Sequence, residues 1–191
     1  VLEQFSHVHA MGAHSGQTRV FRHAYSEGAD YVPFVLRADK LWMDLEAETG
    51  CKTLHRVGTL EFDTGMDSVG AKRARETAIA HGVAYDWLNA DEIRHRWPQF
   101  QIEDHWEAGY GVNAGFLDVE PALHAMGNSA RAHGVEIREN EAALTWGATE
   151  DGVWVETNQG RYTGDRLIIT AGPWAWKVLA QVGISFHVLR K

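Results

Sequence analysis

Apolar residues along the chain follow two spacings, one typical of helices and one typical of strands. Helical spacing, or a pair of helix start and stop signals, occurs over residues 31–49, 68–81, 90–97 and 119–133. Gly50, Gly82 and Gly134 follow three of these segments and Pro98 follows the other, and both residue types commonly end helices. The pattern therefore predicts four bounded helices.

Between these helices, alternating positions or short apolar runs predict strands. The predicted strands cover residues 54–62, 106–117 (one or two strands), 135–137, 142–145, 153–156, 161–162 and 167–170. Asp151-Gly152 and Gln159-Gly160 predict hairpin turns. We also expect a closing helix over 174–182 and a last strand over 184–191. This mixture is typical of an α/β (α+β) protein with two interleaved domains.

The first residues, Val1-Leu2-Glu3, form a short apolar segment that ends in an acid. In a dinucleotide-binding βαβ unit, a glycine fingerprint comes first, and an acid at the end of the second strand follows about 20 residues later. Glu3 has the type and place of that acid, which accepts hydrogen bonds from ribose hydroxyls. An ordinary surface glutamate is the alternative. We expect the chain to be the middle of a longer protein.

Charge and cysteine usage narrow the classes of function. The 191 residues include 18 basic and 26 acidic ones, for a formal net charge of −8. An acidic chain without a basic stripe argues against nucleic acid or an anionic membrane as a partner. Cys51 is the only cysteine, which fits a cytoplasmic location. The histidines show no HxxxH or HExxH spacing, so we expect no metal site.

Residues 12–25, GAHSGQTRVFRHAY, are the most informative segment. Small residues allow backbone N–H groups to turn toward an anion. Arg19 and Arg22 add two positive charges directly afterwards. The segment therefore predicts a loop that binds an anionic cofactor and an anionic substrate. A solvated loop with two surface arginines is the alternative.

A second glycine turn lies near the end of the chain. Residues 170–174, Thr-Ala-Gly-Pro-Trp, follow the predicted apolar strand and precede the closing helix. Such a turn lets the backbone approach a dinucleotide at a helix start. A tight strand-to-helix turn without a ligand is the alternative.

Together these segments resemble the FAD-dependent amine oxidases of the monomeric sarcosine oxidase and N-methyltryptophan oxidase family. The resemblance lies, in order, in residues 12–25, Tyr31-Val32-Pro33, Leu41-Trp42, Arg96-Trp97-Pro98 and residues 167–174. It implies a partial FAD-binding, Rossmann-like domain over 1–48 and 114–187. A partial substrate domain, with a mixed or antiparallel sheet, would cover 49–113 and 188–191.

The resemblance also implies roles for single residues. FAD would be bound by Glu3, Gly12, Ala13, His14, Ser15, Thr18, Arg19, Ala143, Thr170, Ala171, Gly172 and Trp174. Arg19 would lie by the flavin ring, and Arg22 would hold the substrate carboxylate. His14 keeps one of two family histidines and joins both arginines as a catalytic candidate. Ser15 replaces the other histidine and cannot titrate at neutral pH.

The implied reaction is oxidation of the C–N bond of a secondary amine or N-methyl amino acid, with O2 as acceptor giving H2O2. The expected partners are FAD, a small amino acid or amine, and O2. Two alternatives stay open: an FAD-dependent amino acid dehydrogenase of the same fold, and a non-catalytic segment. Because half of the cofactor contacts would lie elsewhere, we expect the isolated chain neither to hold FAD tightly nor to turn over.

Overall fold

The computed structural model describes residues 1–65 and 69–185, apart from the side chain of Val69. The chain forms two compact units. The central unit is Gln17–Ala122. The terminal unit combines Val1–Gly16 with the described residues from Leu123 onward.

The described part of the central unit contains two three-stranded antiparallel sheets, three complete helices and the first residues of a fourth. Its first sheet has the order β1-β6-β2, with β1 Thr18–Phe21, β2 Leu54–His55 and β6 Gly115–Asp118. Its second sheet has the order β3-β5-β4, with β3 Thr59–Asp63, β4 Asp86–Asn89 and β5 Glu107–Gly111. The helices are α1 Tyr31–Thr49, α2 Val69–His81 and α3 Ala90–Arg96. A fourth helix, α4, covers Val119–Ala132, and its residues from Leu123 on belong to the terminal unit.

The helix ends follow from their residues. Gly50 adopts φ 69° after α1, and its N–H donates to the carbonyl of Glu46, which ends the helix in a left-handed cap. At the start of α3, the side chain of Asn89 accepts from the N–H of Glu92, and the Glu92 carboxylate accepts from the N–H of Asn89. This reciprocal capping box fixes the turn from β4 into α3. Ile93 of α3 then packs in a buried cluster with Leu88 of β4.

The terminal unit contains an antiparallel meander. It consists of β7 Ala143–Thr149, β8 Gly152–Thr157 and β9 Arg161–Gly164. A short helix, α5 Ala175–Leu179, is flanked by single 3-10 turns at Gly172–Trp174 and Ala180–Val182. The first residues join this unit through a parallel bridge between Leu2 and Arg138.

The hairpin turns and the four helices were predicted correctly, to within one or two residues at each end. The predicted strand over 54–62 is instead two strands, because residues 56–58 are irregular and connect β2 of the first sheet to β3 of the second. The strands β1 and β4 were not predicted. Part of the 68–81 helix prediction, Ser68, lies outside the described residues, as do residues 186–191 of the predicted last strand.

Two predicted strands are wrong. Residues 135–137 and 167–170 are irregular, and only Arg138, just past the first segment, makes a bridge. Neither run is paired in a ladder within the described ranges, and a strand without a partner leaves its backbone groups unpaired. Ile168 is 84% exposed, so the apolar character of this run does not reflect burial in the core of the unit. The predicted closing helix over 174–182 is broken into α5 and its flanking turns.

The domain boundaries remain a prediction. The compact units place residues 17–48 with 49–113, whereas the resemblance assigns these two segments to different domains. A compact unit is defined by packing and a cofactor domain by what it binds, so one division does not decide the other. Within the described part of the chain, no helix combines the length and the apolar character that crossing a membrane requires.

Candidate functional site

In the terminal unit, Glu3 is fixed from both sides. Its N–H donates to the carbonyl of Arg138 (2.9 Å), and its carbonyl accepts from the N–H of Glu141 (2.8 Å). The carboxylate oxygen Oε1 accepts from the N–H of Phe5 at 3.0 Å. The side chain is 30% exposed. Glu3 therefore presents an oriented carboxylate, and carboxylate oxygens only accept hydrogen bonds.

His9 supports this carboxylate, although nothing in the sequence singled it out. Its Nε2 lies 3.6 Å from Glu3 Oε1, and the ring is only 12% exposed. Its Nδ1 accepts from the N–H of Met11 at 3.0 Å. Because Nδ1 is an acceptor, the neutral ring carries its proton on Nε2, toward Glu3. The resemblance gave His9 no role, and only its place before the glycine loop could have suggested one.

The predicted glycine loop is a tight bend around His14. The N–H of Ser15 donates to the carbonyl of Gly12 (3.1 Å), and Nε2 of His14 donates to the carbonyl of His9 (2.6 Å). A Cβ at position 12 would lie 2.7 Å from the His14 ring, so only glycine fits beside it. The rings of His9 and His14 meet edge to face, with centroids 4.8 Å apart. Ala13 and Ser15 are exposed on this bend.

The second glycine turn reaches the same cluster through Trp174. The rings of Trp174 and Phe5 lie 5.7 Å apart, and those of Phe5 and His9 lie 5.0 Å apart. The N–H of Trp174 donates to the carbonyl of Ala171, which closes the turn. The terminal unit thus brings together four of the predicted cofactor residues. These are Glu3, Gly12, His14 and Trp174. The other predicted cofactor residues of this unit outside the bend are Ala143 at the start of β7, exposed Thr170 and Gly172, and half-buried Ala171.

In the central unit, Thr18 and Arg19 lie on the exposed edge of the first sheet. Both are in β1, where Arg19 pairs with Leu117 of β6. The guanidinium of Arg19 donates to the carbonyl of Thr18 at 2.8 Å, and the residue is exposed. Arg19 therefore presents its charge at the surface of this unit.

Arg22 is half-buried and bound to two carboxylates. Its NH1 donates to Oε1 of Glu61 at 3.0 Å, and its NH2 donates to Oε1 of Glu27 at 3.2 Å. Its guanidinium lies over the ring of Tyr25, 5.0 Å from the centroid. Arg22 also lines a small pocket of about 10 Å³, enough for one water-sized group. A candidate ligand of Arg22 therefore meets a guanidinium that already has carboxylate partners.

Glu61 and Tyr85 complete this pocket and were not predicted. The hydroxyl of Tyr85 donates to Oε2 of Glu61 at 3.0 Å. Burial, together with the nearby Glu61 carboxylate, raises the pKa of Tyr85 well above its usual range, so the phenol stays protonated. Position 109, opposite Glu61 in the ladder, is a glycine, and a Cβ there would lie 2.0 Å from the Tyr85 hydroxyl oxygen. Sequence spacing gives no signal for these partners, because Glu61 lies in β3 and Tyr85 directly before β4, and the sheet brings these distant segments together.

The residues present fit the adenosine end of FAD. Glu3 offers a fixed acceptor for ribose hydroxyls, and the Gly12 bend offers a tight backbone turn beside it. Among the described residues, no group of three or more His, Cys, Asp or Glu side chains could hold a metal ion.

Comparison with known proteins shows the family of the chain. Residues 1–190 match the family model described as FAD dependent oxidoreductase. The chain is 34% identical over 185 residues to monomeric sarcosine oxidase of Bacillus sp. (strain B-0618), covering 97% of this chain and 47% of that protein. It is 33% identical over 178 residues to N-methyl-L-tryptophan oxidase of Yersinia pestis (strain Pestoides F), covering 93% of this chain and 47% of that protein. Among solved structures, NikD, described as an unusual amino acid oxidase essential for nikkomycin biosynthesis, superposes with a TM-score of 0.84 and 27% identity. That superposition covers 96% of this chain and 47% of NikD.

The chain therefore belongs to the family of FAD-dependent oxidoreductases. The predicted fold class, the flavoprotein assignment and FAD as the cofactor of the family are confirmed. The chain spans about half the length of the curated relatives it matches.

Proposed function

We propose that this chain is part of a cytoplasmic flavin-dependent oxidase that acts on the C–N bond of a secondary amine or an N-methyl amino acid. The observation that carries the proposal is the position of Arg22. Its guanidinium lines a pocket, and it belongs to the segment that most resembles the sarcosine oxidase family. The relatives named as sarcosine and N-methyltryptophan oxidases support the substrate class.

The terminal unit would bind the cofactor. Glu3, oriented by Phe5 N–H and by His9, accepts hydrogen bonds from the two ribose hydroxyls of the adenosine. The bends at Gly12 and Ala171 let backbone N–H groups approach the pyrophosphate. When bound, FAD supplies the acceptor for the hydride equivalent that leaves the amine carbon.

The central unit would supply the charges for the reaction. Arg19, whose guanidinium lies at the surface of this unit, stabilises negative charge as it develops beside it. Arg22 holds the substrate carboxylate through its guanidinium and so fixes which C–H bond reacts. The amine loses two electrons and two protons to become an imine, and water then splits the imine into a carbonyl compound and a smaller amine. O2 takes up two electrons and two protons and becomes H2O2.

The test uses the complete product of the gene in an oxygen electrode, with N-methyl amino acids as substrates. We expect O2 uptake and one H2O2 for each O2 consumed. Reduction of an electron-accepting dye without O2 uptake would favour the FAD-dependent amino acid dehydrogenase. Absence of both activities would leave only the non-catalytic segment.

A further inference from the structure

Arg22, which lines the pocket, and the two carboxylates bound to it carry more negative than positive charge. The pocket is lined by Arg22, His23, Thr59, Glu61, Tyr85 and Asn113, among others. Arg22 contributes one positive charge, and two carboxylates contribute negative charges: Glu61, which also lines the pocket, and Glu27, which binds Arg22 from outside the lining. His23 is engaged with Asp39 at 2.9 Å, and Asp39 also pairs with Arg56. Arg22 with its two carboxylate partners therefore has a net charge of −1, which disfavours a ligand that is only an anion.

Glu61 is the firmly held carboxylate of the two. Its side chain is 22% exposed, whereas that of Glu27 is 53% exposed. Glu61 lies in β3, which pairs with β5 over five residues, and it also accepts from the Tyr85 hydroxyl. One side of the Arg22 guanidinium is thus occupied by a carboxylate that the sheet holds in place. A ligand must bind with that carboxylate present.

The size and chemistry of the pocket match a small cation. Its volume of about 10 Å³ suits one group of about the size of a water molecule, such as the nitrogen centre of an ammonium whose carbon substituents stay outside. Each oxygen of Glu61 accepts one hydrogen bond, from Arg22 or from Tyr85. A carboxylate oxygen has a second lone pair, so Glu61 can also accept from the N–H groups of an amine.

We propose that Glu61, held by Tyr85, is a specificity-determining residue that makes this pocket select ligands with a positively charged amine over ligands with an acid group alone. The inference rests on the proposed function and deepens it. Arg22 binds the acid group of an amino acid, and Glu61 requires that the same molecule also carries an ammonium. A merely structural ion pair would stabilise the fold without discriminating between cations and anions.

The test is an NMR titration of the chain with dimethylammonium, acetate and N-methylglycine, followed at the amides of Gly111, Asn113 and Ala114. We expect dimethylammonium to bind more tightly than acetate. Glu61→Gln should weaken the binding of dimethylammonium and strengthen the binding of acetate. Each affinity should change by roughly fivefold, which is the effect of one unit charge about 4 Å away in water. Glu76→Gln, which removes an exposed carboxylate of α2, is the matched control and should change neither the affinity for dimethylammonium nor that for acetate.

Tyr85→Phe is a second variant, which keeps the charge and removes one donor from Glu61. It should strengthen dimethylammonium binding by roughly twofold, because the carboxylate regains a lone pair. The inference is overturned if Glu61→Gln shifts both probes in the same direction, if it behaves like Glu76→Gln, or if no probe perturbs these amides. O2 uptake separates the two proposals. Uptake without a probe preference refutes only this inference, and a probe preference without uptake refutes only the oxidase.

Discussion

The acid of the terminal unit and the arginine of the central unit are held in different ways. Glu3 is oriented by a backbone N–H two residues away and by its own strand-like pairing with Arg138. Arg22 is held by side chains, and its partner Glu61 lies 39 residues away in the sequence. A backbone-held group needs only a local bend, whereas a side-chain-held group depends on the sheet that brings its partners together. We therefore expect the first kind to be less sensitive to substitutions around it than the second kind.

Glu46 shows how strongly backbone donors can stabilise a carboxylate. Its Oε1 accepts from the N–H groups of Leu54 (2.6 Å) and Thr53 (2.7 Å), and Oε2 accepts from Lys52. Burial alone would raise the pKa of Glu46, but these hydrogen bonds lower it to about 2. Because the pKa is lowered on folding, the stabilisation is present above about pH 4.5 and is lost as the pH falls toward 2. We expect Glu46→Gln to cost roughly 3 kcal/mol near neutral pH, measured by urea unfolding.

Lys52→Ala is the control for this measurement, because it removes only an ion pair whose ammonium is 64% exposed. It should cost less than about 1 kcal/mol. An equal loss in both variants would mean that the ion pair, rather than the backbone donors, stabilises Glu46.

The side-chain-held arginine should matter most for substrate. We expect Arg22→Ala to raise KM for an N-methyl amino acid by roughly 30-fold in the complete gene product, since a charge-assisted contact is lost. Arg22→Lys keeps the positive charge but loses the planar guanidinium, which can donate two parallel hydrogen bonds. Its KM should therefore lie between that of the unchanged protein and that of Arg22→Ala. Arg37→Ala, at an exposed position of α1, is the matched control. A large fall in kcat with unchanged KM would contradict the assignment of Arg22 to substrate binding.

His9 tests whether the acid of the terminal unit needs support beyond its backbone bond. His9→Phe keeps the aromatic contacts with Phe5 and His14 and removes the Nε2–H that faces Glu3. We expect the complete gene product to bind FAD roughly tenfold more weakly, measured by flavin fluorescence titration. FMN lacks the adenosine, so its affinity should stay unchanged. Equal losses for FAD and FMN would indicate a general disturbance of the unit.

The smallest effect is expected at the wrongly predicted strand. Ile168 is 84% exposed in this chain, so Ile168→Ser should change its stability by less than about 0.5 kcal/mol. Ile93→Ala, at a fully buried position of α3, should cost about 2–5 kcal/mol in the same thermal or urea unfolding experiment. A large loss at Ile168 would show that residues 167–170 pack in a core after all.

The sequence predicts best those features whose causes are local. The helix α1 and its end at Gly50 follow from apolar spacing and one left-handed glycine, and the β7–β9 meander follows from two turn dipeptides. The same holds for the bend at Gly12. The strand over 167–170 was wrong because apolar character alone cannot supply a pairing partner.

The candidate site could be predicted only in part. Arg22 was found because it belongs to a recognisable motif, but its partner Glu61 lies in β3, and Tyr85, which donates to Glu61, directly precedes β4. The sequence could not assign a role to His9, because that role depends on which ring nitrogen accepts from the N–H of Met11. Only the folded structure shows this. Side chains that orient other side chains leave no periodic trace in the sequence.

The close approach of Tyr85 to Gly109 makes the two positions interdependent in a genetic sense. The phenol occupies the space that any side chain at position 109 would need. A Gly109→Ala allele should therefore be rescued by a second-site change of Tyr85 to a smaller residue, and such suppressors would give up the hydroxyl that steadies Glu61. Revertants that restore folding in this way would keep the Glu61 carboxylate without its phenol partner, and would show whether that carboxylate alone still selects ligands with an amine.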